Sequence, residues 1–88
     1  MLTALQKPPD KRPLRAAEFF AGIGLVRLGL EAVGIQVIWS NEIDPDKHAM
    51  YMGQFPAGSG QGQHHFQLGD VAHVAGSDVP DVELAWAS

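Results

Sequence analysis

Length, composition and charge describe a small globular chain. It has 88 residues, of which 45% are apolar and 18% charged, so it can form one small domain or part of one and is not compositionally disordered. The absence of cysteine excludes a disulfide framework, a thiolate nucleophile and cysteine-ligated metal sites within these residues. The net charge of −4 is the sum of +3 for residues 1–15 and −7 for residues 16–88. Because contacts with nucleic-acid phosphates require clustered Lys and Arg, the acidic segment 16–88 is not a nucleic-acid-binding surface.

The start of the chain, residues 1–14, predicts a flexible N-terminal tail. Pro8, Pro9 and Pro13 each lack an amide donor and restrict the preceding residue, and no periodicity is sustained. Regular patterns begin at Arg15.

The next segment predicts a strand, a helix and a second strand. The run from Ala16 to Phe20 is typical of a strand buried on both faces. A helical pattern opens at Gly22–Gly24 and stops at Gly34, with Arg27 and Glu31 forming a polar stripe opposite the apolar positions. With a strand at Ile35–Trp39, this is a right-handed βαβ unit with parallel strands.

A second helix is predicted from Asp44, as its cap, to about Phe55. A glycine-rich loop at 57–63, a strand at His65–Leu68, a turn or short helix near 71–74 and a strand at 82–87 follow. The pattern predicts an α/β fold with about four largely parallel strands and two main helices. Because the chain stops at the last strand, where such a fold turns towards its active site, we expect a truncated domain.

Residues suited to a nucleotide-like cofactor follow three of the strands. Gly22 and Gly24 allow a tight turn and close approach of a ligand at a helix N-terminus. Glu42 ends the second strand, where a carboxylate can accept hydrogen bonds from ribose hydroxyls, and Asp70 follows the third, where it can read an adenine amino group. The G-x-G-x-x-G fingerprint of dinucleotide sites requires a third glycine where Arg27 stands, so the pattern favours a ligand without phosphates, such as S-adenosylmethionine.

These motifs resemble those of the cytosine-5 DNA methyltransferases. Phe20-Ala21-Gly22-Ile23-Gly24 with the following Arg27-Leu28-Gly29-Leu30-Glu31 is similar to the family's first motif. Ser40-Asn41-Glu42-Ile43-Asp44 is similar to the second, and Leu68-Gly69-Asp70-Val71 to the third. The segment 81–88 resembles the strand that leads into the family's Pro-Cys catalytic loop.

The resemblance implies a fold, a cofactor and a role for each matching residue. Residues 15–88 are expected to be the N-terminal part of a Rossmann-like methyltransferase domain that binds S-adenosyl-L-methionine. Phe20, Ala21, Gly22, Ile23 and Gly24 would line the methionine end and one face of the cofactor. Glu42 would hold the ribose, Ile43 would pack on the adenine, and Asp70 with the Val71 amide would read the adenine edge.

The resemblance also implies the reaction of the parent enzyme. It would flip a cytosine out of double-stranded DNA, attack C6 with a cysteine thiolate and transfer a methyl group to C5. The catalytic cysteine and the DNA-recognition region would lie beyond Ser88, so these residues alone are expected to be inactive. Contact with double-stranded DNA would be made by the downstream regions, which a separate complementing C-terminal polypeptide could also supply. We expect a bacterial cytoplasmic, nucleoid-associated protein, since the chain shows no signal peptide or spanning segment.

Other interpretations stay open at this point. The chain could be a non-catalytic adenosyl-binding relic or module, a methyltransferase for another substrate, or a fragment of an NAD- or FAD-binding oxidoreductase. We expect no metal site, because His64 and His65 lie in a glycine-rich, solvated loop without companions at ligand spacing. Trp39 and Trp86 are predicted core residues.

Overall fold

The computed structural model describes residues 13–56 and 63–87 together with the backbone of residues 2–4. They form one five-stranded sheet in the order β1-β5-β2-β3-β4. The strands β2 to β5 are mutually parallel, and β1 runs antiparallel to β5. The predicted four parallel strands and two helices of an α/β fold are therefore confirmed. The strands are β1 (Leu2–Ala4), β2 (Arg15–Phe19), β3 (Gln36–Glu42), β4 (His65–Leu68) and β5 (Leu84–Ala87).

Strand β1 lies within residues 1–14, the segment predicted to be a flexible N-terminal tail. Leu2 to Ala4 pair with Trp86 to Leu84 along the outer edge of β5. The pairing satisfies backbone groups that an open strand edge leaves unpaired, and three residues are too few to show a sequence periodicity. Residues 5–12 of the predicted tail, and 57–62 of the predicted loop, lie outside the described residues.

Two helices, α1 (Leu25–Ala32) and α2 (Pro45–Gln54), connect the first three parallel strands. Helix α2 begins as predicted: the Asp44 side chain accepts hydrogen bonds from the Asp46 and Lys47 amides, at 2.8 and 3.4 Å. Helix α1 begins later than the glycines at which its pattern opens, because Gly22 and Gly24 adopt positive φ angles of 61° and 95°. Two 3₁₀ turns, Val71–His73 and Gly76–Asp78, lead from β4 towards β5.

Apolar residues form two clusters against the sheet. Ala16, Val37 and Leu84 pack with Leu30 and Ile35 near the amino ends of the strands. Trp39, predicted as core, is 1% exposed, and Trp86 is half-buried in β5. The second cluster lies beneath α2 and contains Ala21, Tyr51 and Phe55, with Met52 and Phe66 packed against it.

Candidate functional site

The carboxyl edge of the sheet brings the three predicted cofactor segments together. The Gly22 amide donates to Glu42 Oε1 at 2.8 Å, which joins the segment after β2 to the end of β3. The Gly69 amide donates to the Glu42 carbonyl oxygen at 2.9 Å, which joins the end of β3 to the segment after β4. Glu42 is therefore the junction of the candidate site.

The Glu42 carboxylate is nearly buried, with 6% of the residue exposed. Besides the Gly22 amide on Oε1, it accepts the amides of Ile43 and Asp44 on Oε2, at 3.0 and 2.9 Å. An ionised carboxylate offers about four lone-pair positions, so one position on Oε1 remains for a donor from a ligand. The side chain thus shapes the turn after β3 and keeps one acceptor for a hydroxyl group.

The segment from Phe20 to Gly24 forms a bend between β2 and α1. Phe20, although not a glycine, has a φ of 58°, a strained conformation of the kind that clusters at ligand sites. A Cβ atom added to Gly22 would meet no atom within 4 Å, so its backbone borders open space. The side chain of Gln54 holds the bend from α2, since its Nε2 donates to the Ile23 carbonyl at 2.6 Å.

Gly24 is the point at which the bend touches α2. A Cβ atom there would lie 2.6 Å from Phe55 Cε2 and 3.2 Å from Tyr51 Cδ2. The close approach and the positive φ both require glycine at this position.

Apolar and polar surfaces flank Glu42 at this edge. Phe20 is 47% exposed and Ile43 57% exposed, so both offer apolar area to a ring or an aliphatic chain. Asp70 is exposed beyond β4, where its Oδ1 accepts the Ala72 amide at 2.9 Å and caps the 3₁₀ turn that begins at Val71. The structure places these residues at one edge, and their roles towards a ligand remain predictions.

A buried polar cluster that the sequence did not predict lies behind the bend. Both the Ser40 and Tyr51 hydroxyls lie within hydrogen-bond distance of Glu18 Oε2, at 2.7 and 2.6 Å. His64 Nε2 lies 2.7 Å from Ser40 Oγ, and Arg27 Nη1 donates to the Tyr51 hydroxyl at 3.4 Å. We call these five residues the Glu18 cluster.

The environment of the Glu18 cluster changes the proton affinity of its members. Burial raises the pKa of Glu18, against the opposing effect of hydrogen bonds from Tyr51 and Ser40. Burial also raises the pKa of Tyr51, with the Glu18 charge acting in the same direction. Burial lowers the pKa of His64 to about 4, and the nearby charges of Arg27 and His65 act in the same direction. His64 is therefore neutral at pH 7.

One sequence prediction is wrong at this cluster, and it concerns His64. Arg27 pairs with Glu31 along the predicted polar stripe, its Nε donating at 3.0 Å, but it is buried, with its guanidinium 4.0 Å from the centre of the Phe55 ring. His64 does not lie in a solvated loop but is half-buried and stacks on Tyr51. A single signal pointed to the cluster: Glu18 is an acid inside a strand predicted to be buried on both faces, and such a group requires partners.

Other classes of site are not evident in the part of the chain that the structure describes. There, no three acidic or histidine side chains form a group that could hold a metal ion. Within the same residues, no helix is long and apolar enough to cross a membrane. A broad, open concavity lies towards the amino ends of the strands beside Arg15, Gln36 and His65, and none of the nine predicted cofactor residues lines it.

Comparison with known proteins identifies relatives over nearly the same residues. The family model described as C-5 cytosine-specific DNA methylase matches residues 14–88. The Type II methyltransferase M.HaeII of Haemophilus aegyptius is 36% identical over 73 residues, covering 83% of this chain and 20% of the relative. The Type II methyltransferase M.Bsp6I of Bacillus sp. (strain RFL6) is 29% identical over 72 residues, covering 81% of this chain and 21% of the relative. The chain thus spans about a fifth of the length of the curated relatives that it matches.

Proposed function

Because the chain belongs to the family of C-5 cytosine-specific DNA methylases, we propose that its residues supply the S-adenosylmethionine-binding part of a DNA (cytosine-5-)-methyltransferase. The observation that carries the proposal is the position of the Glu42 carboxylate. It lies at the carboxyl edge of a parallel sheet, where α/β folds bind nucleotide-like ligands, and it accepts the Gly22 amide of the bend. The backbone carbonyl of the same residue accepts the Gly69 amide, in the segment before Asp70.

The nine predicted residues contact different parts of the cofactor. Glu42 accepts a ribose hydroxyl on Oε1, and Ile43 packs on the adenine, whose edge is read by Asp70 and the Val71 amide. The bend formed by Phe20, Ala21, Gly22, Ile23 and Gly24 lies along the methionine end. S-adenosylmethionine, when bound, supplies the electrophilic methyl group.

The residues present bind the methyl donor but do not supply the nucleophile that cytosine methylation needs. Attack at C6 requires a thiolate, and none of the 88 residues is cysteine. We therefore expect the chain alone, incubated with radiolabelled S-adenosylmethionine and cytosine-containing duplex DNA, to transfer no label. Label on cytosine C5 would contradict this expectation.

Double-stranded DNA is the proposed substrate of the whole enzyme. The proposed location of the enzyme is the bacterial cytoplasm. Residues 16–88 carry a charge of −7, which opposes contact with phosphates, so the grip on DNA belongs to other parts of the enzyme. Such parts can be supplied as a separate polypeptide. Recovery of methyl transfer when a downstream polypeptide of a relative is added would support a divided catalytic domain, and no recovery would favour a non-catalytic adenosyl-binding module.

The experiment that tests the proposal is calorimetric titration of the chain with S-adenosylmethionine. The Glu42→Ala variant removes a charged acceptor and should weaken binding by about 1.5–3 kcal/mol, or roughly 10- to 100-fold. Asp70→Ala should weaken it less, because apolar contacts also hold adenine. Asp81→Ala is the matched control, since this exposed acid lies before the amino end of β5. Equal affinity for all four chains, or no binding by the wild type, would refute the assignment.

A dinucleotide ligand is the alternative that Arg27 disfavours. The Arg27 side chain extends from α1 to Tyr51 and Phe55, and it stands at the position where the fingerprint requires a third glycine for close packing of the helix against the strand. Tighter binding of NAD or FAD than of S-adenosylmethionine in the same titration would favour the oxidoreductase interpretation.

A further inference from the structure

We propose that the Glu18 cluster is a positioning device for the cofactor-binding bend, and that Tyr51 is the residue through which it acts. The inference rests on the proposed function, since it concerns the same cofactor site. It adds residues that do not touch the cofactor and that lie outside the predicted set.

The cluster lies directly behind the site along both central strands. Glu18 and Ser40 are paired across β2 and β3, and each lies two residues before a site residue: Phe20, which follows β2, and Glu42, which ends β3. A hydrogen bond between their side chains therefore fixes the two strands immediately before they diverge into the site.

Tyr51 connects this buried hydrogen-bonding network with the bend. Its hydroxyl lies 2.6 Å from Glu18 Oε2, whereas its ring packs in the apolar cluster with Ala21 and, with Phe55, fills the space that a Cβ atom on Gly24 would need. A single rigid side chain thus joins the buried carboxylate to the inner side of the bend.

The donor pattern shows why the hydroxyl is needed. The hydroxyl protons of Tyr51 and Ser40 both point to Glu18, so His64 Nε2 and Arg27 Nη1 act as the donors to those hydroxyl oxygens. Removing the Tyr51 hydroxyl leaves the buried Glu18 carboxylate with one donor and removes one of the two acceptors of the buried Arg27 guanidinium, the other being Glu31. The hydrogen bonds lost are those that hold α1 and α2 against the bend.

The test compares Tyr51→Phe with Met50→Ala in the 88-residue chain. Tyr51→Phe keeps the ring and removes only the hydroxyl, whereas Met50 is 60% exposed on the same helix. Amide hydrogen exchange of the unliganded chain is measured at Gly22 and Gly24 and, for comparison, along β3. Calorimetry then measures the affinity of each chain for S-adenosylmethionine.

We expect Tyr51→Phe to accelerate exchange at Gly22 and Gly24 at least tenfold, with little change along β3, and to weaken S-adenosylmethionine binding about 5- to 20-fold. Met50→Ala should match the wild type in both measurements. Unchanged exchange at the bend, or an equal rise throughout β3 as a merely structural role would give, overturns the proposal. If Tyr51→Phe does not fold, Ser40→Ala replaces it in the test, because it removes the other hydroxyl that donates to Glu18. We expect the same changes in exchange and affinity for that variant.

The two proposals fail in different ways. If the wild-type chain binds no S-adenosylmethionine, the proposed function is wrong, and exchange at Gly22 and Gly24 still decides whether the cluster positions the bend. If the wild type binds and Tyr51→Phe binds equally well with unchanged exchange, only the positioning role is wrong.

Discussion

The backbone conformation of Gly24 and the space around it both exclude a side chain. Its φ is 95°, and an added Cβ atom would lie 2.6 Å from the Phe55 ring. Gly24→Ala should therefore lower the free energy of unfolding by about 2–4 kcal/mol and impair cofactor binding. Gly29 is the matched control, because it lies in α1 with no atom near an added Cβ. Gly29→Ala should raise the free energy of unfolding by about 0.5–1 kcal/mol.

Urea denaturation of both glycine variants measures this difference. A destabilisation of equal size at the two positions would show that helix propensity, rather than the bend, determines the response.

His64 makes the stability of the Glu18 cluster depend on pH. Its pKa is about 4 in the folded chain, mainly because of burial, and the ordinary value is about 6.5, so the folded state favours the neutral ring. Its contribution is fully present above pH 6.5 and is lost as the pH falls from 6.5 towards 4. The Ser40 and Tyr51 hydroxyls lie within hydrogen-bond distance of the ring, and the charges of Arg27 and His65 act on it.

The difference in unfolding free energy between wild type and His64→Gln isolates this contribution from the opposing titration of Glu18. That difference should shrink as the pH falls from 6.5 to 4. A constant difference for His64→Gln would mean that folding leaves the pKa of His64 unchanged, which would contradict the burial of its ring.

At the scale of elements, the start of α2 depends on its cap. Asp44→Ala removes the acceptor of the Asp46 and Lys47 amides and should cost about 1 kcal/mol of unfolding free energy in urea denaturation. Asp46→Ala removes only a favourable interaction with the helix dipole and should cost less, within about 0.3–1 kcal/mol. Equal losses would show that the charge, and not the capping hydrogen bonds, stabilises this end.

Local chemistry explains which elements could be predicted from the sequence. Asp44 and Pro45 mark the start of α2 because capping and the fixed φ of proline act within one turn. The position of Glu42 and Asp70 at one edge follows from the parallel βαβ arrangement.

Helix α1 shows what the sequence could not reveal. Its periodicity predicts a polar stripe of Arg27 and Glu31 but not the burial of Arg27, because the groups that cover it are Tyr51 and Phe55, more than 20 residues away. Glu18 and His64 complete the same cluster from still other elements. Partners brought together only by the fold leave no periodic signal, so the sequence indicates that Glu18 requires partners but not which residues supply them.

On the scale of the whole molecule, helices α1 and α2 meet over one face of the sheet, and the site lies beside them at the carboxyl edge. Arg27 and Tyr51 join the two helices above Glu18 and Ser40. Strand β1 covers the outer edge of β5. One face of the molecule is thus organised around the Glu18 cluster, whose strands end in the proposed cofactor site.

The location of S-adenosylmethionine on the chain tests the central claim most directly. Titration of the isotopically labelled chain, followed by amide chemical shifts, should show the largest changes at Gly22, Gly24, Ile43 and Val71, around the Glu42 carboxylate. The amides of residues 84–87 should change little by comparison. No shift at saturating ligand, or changes centred on the concavity beside Arg15, would contradict the assignment of the carboxyl edge as the cofactor site.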